Sequence, residues 1–340
     1  MWLFVAGIGV SPGQEPQHYF LGVSTLMPRP LAMGGAFNAV DDDLAALLYN
    51  PATFSLYRDQ RKQRLTFFLN PLAPGVALDN MHTLFKRGSS TWEEAAAAAA
   101  LLLKGMTLSL GVFEFGALFG EQAPRWEQVS PTRVFAIEDY VDNQYNILAA
   151  RLHVAERVSL AGSMSFYYQK TDSARRQWGI GSSYGVQVRP ARAVAIGVSY
   201  VTLPKKQREY REEIERLVNG AINLGLSVRS NFGTTLAADI RDLGDEKALT
   251  GDLIREVHVG VEQILLSHVA LRAGAFRKRD ENAGGHYIFS GGFGLIDANR
   301  WWNVKRRFTH ANWVLNYGVL AETLAGQRRF LHTVSLLFRL

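Results

Sequence analysis

The sequence predicts an all-β protein, a closed antiparallel barrel of about 14 strands that crosses a membrane. Three observations carry this expectation. From about residue 145 onward, large apolar side chains alternate with small or polar ones, segment after segment. The connections between those segments alternate between very short and long. The composition, with 31 glycines, 11% aromatic and 20% charged residues in 340, is richer in glycine and aromatics and poorer in charge than soluble usage. No run reaches the roughly 18 apolar residues of a spanning helix, and the longest, Ala95 to Leu103, is about half that. A mean hydropathy of −0.05 also argues against a multi-helix membrane protein.

Taken from the N-terminus, MWLFVAGIGVSPGQ (1–14) reads as the end of a secretory leader lacking its basic start. Residues 15–60 form a segment without strand alternation, and 61–340 form the barrel. Within the barrel, strands are expected at 64–70, 107–117, 132–138, 145–154, 158–168, 178–189, 193–201, 221–229, 233–241, 253–264, 268–277, 286–296, 312–321 and 331–340. The period is plainest at Val194, Ile196, Val198 and Tyr200, which alternate with Ala195, Gly197 and Ser199, and at Ile222, Leu224, Leu226 and Val228, which alternate with Asn223, Gly225 and Ser227. One face is branched or aromatic; the other carries Gly, Ser, Asn, Glu, Arg and His. A soluble barrel lines its interior with apolar groups, whereas a membrane barrel turns them outward.

Short turns fall at 155–157, 190–192, 230–232 and 265–267. Long polar connections are expected at 169–177, 202–220, 242–252, 278–285 and 322–330. This asymmetry between rims is that of bacterial outer-membrane barrels, with the short turns and both chain ends on the periplasmic side. Two helices are expected in outer-rim loops. One is 91–105, with Thr91 as N-cap, Glu93 and Glu94 in its first turn and Lys104 before Gly105; the other is 205–220, with Arg211–Glu215 and Glu212–Arg216 at i,i+4 spacing. The connection 297–311, with Trp301, Trp302 and Lys305-Arg306-Arg307, suits an interfacial anchor.

Cysteine is absent, which removes disulfides, zinc fingers, thiol catalysis and iron–sulfur ligation. The net charge of +6 comes from basic residues scattered among loops, so no nucleic-acid partner is expected; the basic ends suit water or anionic headgroups. His153, His258 and Ser163 lie on small or polar faces without a motif linking them, so no enzyme is expected. No cofactor is expected either.

The stretch RPLAMGGAFNAVDDDLAALLYNPA (29–52) lacks GxGxxG and GxxxxGK[ST], and three successive aspartates do not have calcium-loop spacing. Asp41 to Asp43 fit the start of a short helix, 43–50, ended by Pro51. Its residues Gly22, Arg29-Pro30, Ala32-Met33-Gly34-Gly35-Ala36-Phe37, Asp41-Asp42 and Asn50-Pro51-Ala52 resemble the N-terminal signature of the FadL-like and PorV/PorQ-like outer-membrane proteins. The blocks GVEQILLSHVALRAGAF (260–276), FSGGFGL (289–295) and HTVSLLFRL (332–340) are similar to the PorV side.

The resemblance implies a 14-stranded barrel whose N-terminal segment folds into the lumen as a plug or hatch. Arg29, Met33, Gly34, Gly35, Asp41, Asp42, Asn50, Pro51 and Ala52 would be its structural residues. It implies a place in the bacterial outer membrane, among its lipids. One implied function is transport of hydrophobic small molecules, for which Phe67-Phe68-Leu69 and Val112-Phe113-Phe115 would line an outward-rim pocket. The alternative is a non-permeating partner of protein secretion or surface attachment, whose long loops receive secreted cargo.

Overall fold

Small side chains on one face and bulky ones on the other let a sheet curl around a filled interior, and this chain does so. The computed structural model describes residues 27–42, 44–54, 64–70, 102–122, 143–172, 175–202, 221–241, 243, 256–265, 269–278, 286–295, 312–324 and 327–339. The expected leader 1–14, the segment 132–138, the helix 205–220 and the connection 297–311 lie outside these residues.

Fourteen strands close into one antiparallel barrel. They are β1 (Arg64–Leu69), β2 (Leu103–Leu110), β3 (Phe113–Gln122), β4 (Asn143–Ala155), β5 (Val158–Asp172), β6 (Arg175–Ala191), β7 (Val194–Thr202), β8 (Ala221–Arg229), β9 (Thr234–Arg241), β10 (Glu256–Leu265), β11 (Val269–Lys278), β12 (His286–Leu295), β13 (Asn312–Leu324) and β14 (Gln327–Arg339). Each strand pairs with its sequence neighbours, and the barrel closes where β1 meets β14 at Phe68↔Arg339 and Leu69↔Phe338. Both ends of the barrel sequence therefore lie on one rim, together with the short turns after β2, β4, β6, β8 and β10.

Alternation sets the two faces. Ile196, Val198, Leu224, Leu226, Leu236, Val257, Val259, Leu271, Phe289 and Trp313 are exposed on the outside, forming the apolar belt a lipid-spanning barrel needs. Ala195, Ser199, Asn223, Ser227, Ala237, Asp239, His258, Glu262 and Arg272 alternate with them and are buried inside. In the register, Leu226↔Ala238 and Val259↔Ala238 share the outer face, while Gly225↔Asp239 and Glu262↔Arg272 share the inner one.

Four expectations need correction. The strand expected at 107–117 is two strands, β2 and β3, turning at Gly111-Val112; Gly111 has φ 70°, a conformation costly for residues with a Cβ. The apolar run Leu108, Leu110, Val112, Phe113, Phe115 continues across the turn and hides it. The helix expected at 91–105 does not extend that far: Leu102 is helical and β2 begins at Leu103, while 91–101 lie outside the described residues. The long connections expected at 169–177 and 322–330 are strand ends joined through 173–174 and 325–326, with pairs such as Asp172↔Arg175 and Leu324↔Gln327. Finally, Phe67, Val112, Phe113 and Phe115 face away from the lumen: they are exposed on the outer surface, while Phe68 is buried inside with Leu118 and Ile147.

Candidate functional site: the N-terminal segment in the barrel lumen

Residues 27–42 and 44–54 lie inside the barrel as a chain of tight turns. Pro28–Ala32 forms one short helix, α1, with prolines at positions 28 and 30, where their missing N–H groups cost nothing. Gly34 and Gly35 follow at φ 63° and 72°. The expected α-helix 43–50 is instead a 3-10 helix over Leu44–Leu48, followed by a second over Pro51–Thr53. Asn50 caps the second: its Oδ1 accepts from Ala52 N at 2.9 Å, with Pro51 in the first turn. Thr53 Oγ1 donates to Asn50 O at 2.8 Å. Met33, Phe37, Val40, Leu44, Leu47, Tyr49 and Phe54 are buried together with Phe68, Leu118 and Ile147 of the wall.

Backbone approaches wall most closely around Gly34 and Asn38. A Cβ added to Gly274 of β11 would fall on Gly34 N and Met33 C, and one added to Gly197 of β7 would fall on Asn38 O. A Cβ on Gly185 of β6 would strike Asn50 Oδ1. These wall glycines make room for main chain.

The polar contacts are distributed around the lumen. Asp239 Oδ2 of β9 accepts from Phe37 N and Asn38 N at 2.7 and 2.8 Å. Asn38 Nδ2 donates to Gly197 O and Asn223 O, both at 3.0 Å, and Ser199 Oγ donates to Asn38 Oδ1 at 2.7 Å. Ser227 Oγ donates to Ala39 O at 2.8 Å, and Ser159 Oγ to Ala52 O at 3.0 Å. Gly34 N donates to Ser290 Oγ at 2.9 Å. Arg241 donates to Gly35 O, and a ring nitrogen of His258 meets Gly34 O at 2.6 Å.

Three charged clusters anchor the segment. In the first, Glu262 of β10 accepts from Arg29 Nε and Nη2 at 2.8 and 2.7 Å and from Arg272 Nε at 2.7 Å; Arg29 Nη1 also pairs with Asp42 at 2.8 Å. Arg272 Nη1 further donates to Asn316 Oδ1 at 2.8 Å. Burial opposes the Arg29 charge, but Glu262 and Asp42 outweigh it and hold its proton more tightly than usual. In the second, Asp41 accepts from Gln187 Nε2 at 2.8 Å and pairs with Arg189. Burial alone would raise the Asp41 carboxyl; Arg189, Arg229 and the Gln187 amide instead hold it below its ordinary range. In the third, Arg151 donates to Phe54 O and, at 2.9 Å, to Glu114.

The sequence-predicted residues thus sit together in the lumen, with altered roles. The Asp41 and Asp42 carboxylates meet arginines of β6 and α1, a use not foreseen for them. Met33 and Ala52 are packed fully inside, Pro51 lies in the second 3-10 helix, and Gly34, Gly35 and Asn50 make the close approaches. The wall partners Glu262, Asp239, Arg151, Arg189 and Arg272 were not singled out. Their signal was present: each is a charge on the inward phase of a strand. Of the residues set aside as an enzyme candidate, His153 pairs with Glu114 at 3.1 Å, and Ser163 is buried in the wall. Among the described residues, no three His, Asp or Glu side chains are placed to hold a metal.

No family model and no curated protein matches the chain. Among solved structures, the chain is similar to CymD, a monoaromatic hydrocarbon channel, at 12% identity over 94% of this chain and 97% of that one, with a TM-score of 0.51. It is also similar to the Pseudomonas putida toluene transporter TodX (12% identity, the same shares, TM-score 0.48) and to a Pseudomonas aeruginosa FadL homologue (12%, the same shares, 0.43). The likeness to CymD is one of fold.

Proposed function

We propose that this protein is an outer-membrane channel for hydrophobic small molecules, with residues 27–54 serving as its hatch. The observation that carries this reading is a lumen filled by a separate segment held through polar contacts. A segment meant only to fill the barrel would be served by an apolar interface. Three ion-pair clusters and single hydrogen bonds can instead exchange for water when the segment shifts, since polar groups lose little on passing from one partner to another. The outer belt of Val, Leu and Phe supports a place in lipid, and the resemblance of the 29–52 signature supports the outer membrane. That the fold is shared with a hydrocarbon channel agrees with an apolar permeant.

The test is uptake by liposomes carrying the purified protein. Toluene and a medium-chain fatty acid should enter faster than in empty liposomes, whereas a sugar of similar size should not. Uptake of both apolar compounds no faster than in empty liposomes, together with a secreted protein co-purifying from the native membrane, would replace this reading by the cargo-holding one. Among the described residues no feature favours that second reading.

A further inference from the structure

Three hairpin turns follow one another along the rim that holds both ends of the barrel sequence. The β4–β5 turn presents Glu156 and Arg157, the β6–β7 turn Arg192, and the β8–β9 turn Asn231 and Phe232, all exposed. Arg157 Nη1 donates to Pro190 O at 3.2 Å, tying the first turn to the second and fixing its charge at the rim. Phe232 is 87% exposed, the barest large apolar side chain described. Its backbone is nevertheless held, since Phe232 N donates to Ser230 Oγ at 3.2 Å and Phe232 O accepts from Gln263 Nε2 at 3.1 Å. A pinned main chain therefore presents an uncovered ring.

The lipid-facing belt ends near here. Val112, Val154, Val188, Val228 and Leu265 are among its exposed apolar side chains close to this rim. At about 3.3 Å per residue, Arg157 and Phe232 lie within roughly 10–13 Å along the chain of that edge. Basic and aromatic side chains just beyond an apolar belt occupy the depth of glycerol and phosphate in a bilayer. One ring offers about 150–250 Å², far short of the roughly 800 Å² per partner of a stable protein interface. A phospholipid needs no more than a phosphate contact and a ring beside its glycerol backbone.

We propose that Arg157, Arg192 and Phe232 form a binding arc for anionic phospholipids of the leaflet facing this rim, with the guanidinium groups on headgroup phosphates and the Phe232 ring beside them at the interface. The inference rests on the membrane reading and is independent of transport.

It is tested by reconstituting the full chain in nanodiscs with equal phosphatidylglycerol and phosphatidylethanolamine, then extracting mildly and measuring the retained lipids by mass spectrometry. The retained lipid should be enriched in phosphatidylglycerol by about fivefold or more, the effect expected of one to two basic groups at a charged surface. The variant R157Q/R192Q/F232S should retain both lipids in bulk proportion, as should the wild type when salt is raised from about 0.1 M to about 0.5 M. The single variant R192E, on an exposed turn, serves should the triple variant fail to fold, and should lose at least half of the enrichment. Retention in bulk proportion by the wild type, or undiminished enrichment in a folded variant, overturns the proposal. Liposome uptake, read in parallel, should be unchanged by R192E, so loss of lipid preference and loss of transport are separately visible.

Discussion

Glu262→Gln tests whether the ion cluster holds the lumen segment in place. The Glu262 carboxylate serves two guanidinium groups, Arg29 of the segment and Arg272 of the wall, and all three side chains are at most 6% exposed. With Asp42 the cluster is neutral. Neutralising Glu262 leaves two arginines sharing one aspartate, and removing one partner of a buried pair costs about 3–5 kcal/mol. Part of that loss falls on the wall–wall contact with Arg272, so about 2–3 kcal/mol bears on the segment. At 1.4 kcal/mol per tenfold, its open-to-seated ratio rises by roughly 30- to 150-fold. The chain has no cysteine, so a single probe is unambiguous. Ala36→Cys lies at a fully buried position of the segment. When opening is fast compared with modification, the labelling rate follows the open population. The rate of maleimide labelling at position 36 should therefore rise by about the same factor in the E262Q background. Labelling within twofold of the parent, in a barrel that still migrates as folded, would refute the reasoning.

Further outcomes follow from the same contacts. Gly274→Ala places a Cβ on Gly34 main chain and should raise labelling at position 36, at a cost of about 1–3 kcal/mol, whereas Gly291→Ala, whose Cβ would meet only Arg272 O at 3.6 Å, should leave it unchanged. The Asp41 carboxyl is held below its ordinary value of 3.8, so its anchor is fully present above that pH and fades as pH falls through the lower native value. Labelling at position 36, divided by that of a small free thiol at the same pH to remove the thiolate dependence, should then be flat from neutral pH down to about 4 and climb below it, and in D41N this climb should be absent from a raised baseline. Leu226→Arg, on the outer face, should destabilise the barrel in lipid by about 2–4 kcal/mol if that residue lies near the bilayer centre, measured by urea titration in vesicles; an unchanged midpoint would deny that this face meets acyl chains.

How much of the fold was legible depended on what each residue faces. Along β7, β8 and β14, lipid outside and packed main chain inside impose opposite demands on successive residues, and the period shows in the sequence. Residues 169–172 and 175–177 are also strand, yet their polar sequence reads as loop. Beyond the lipid nothing demands an apolar outer face, while the backbone ladder continues. The Gly111-Val112 turn failed to show for the opposite reason, because apolar residues run through it on both sides. The expected count of about 14 strands agrees with the fold, although one member of the expected set was really two strands and another lies outside the described residues.

The segment itself was readable through its resemblance, but its partners depend on closure of the barrel. Arg29 and Glu262 are 233 residues apart, and Phe37 and Asp239 are 202 apart. No local pattern links them. What the sequence does show is that inward positions carry Glu262, Asp239, Arg272 and Arg151, charges that a closed wall must satisfy from within. Several inward identities answer the part of the segment opposite them: Gly197 and Gly274 face main chain, Ser159 and Ser227 face carbonyls, and charges face Arg29, Asp41, the carbonyls of Gly35 and Phe54 or the amides of Phe37 and Asn38.

That matching bears on how the segment could yield. Its polar contacts come from β4, β5, β6, β7, β8, β9, β10 and β12, and β3, β11 and β13 also pack against it, so leaving as a rigid body would break all three clusters together. Free energies of local opening are far lower than that of a global transition, which favours release of one part at a time. The clusters are suited to this, since Arg29 and Asp42 depend on Glu262, whereas Phe54 and Ala52 are held by Arg151 and Ser159. A probe at Thr53→Cys, a fully buried position of similar volume, distinguishes the two routes. In the E262Q background, labelling at position 36 should rise while that at position 53 stays near its parent rate. An equal rise at both positions would mean that the segment moves as one body.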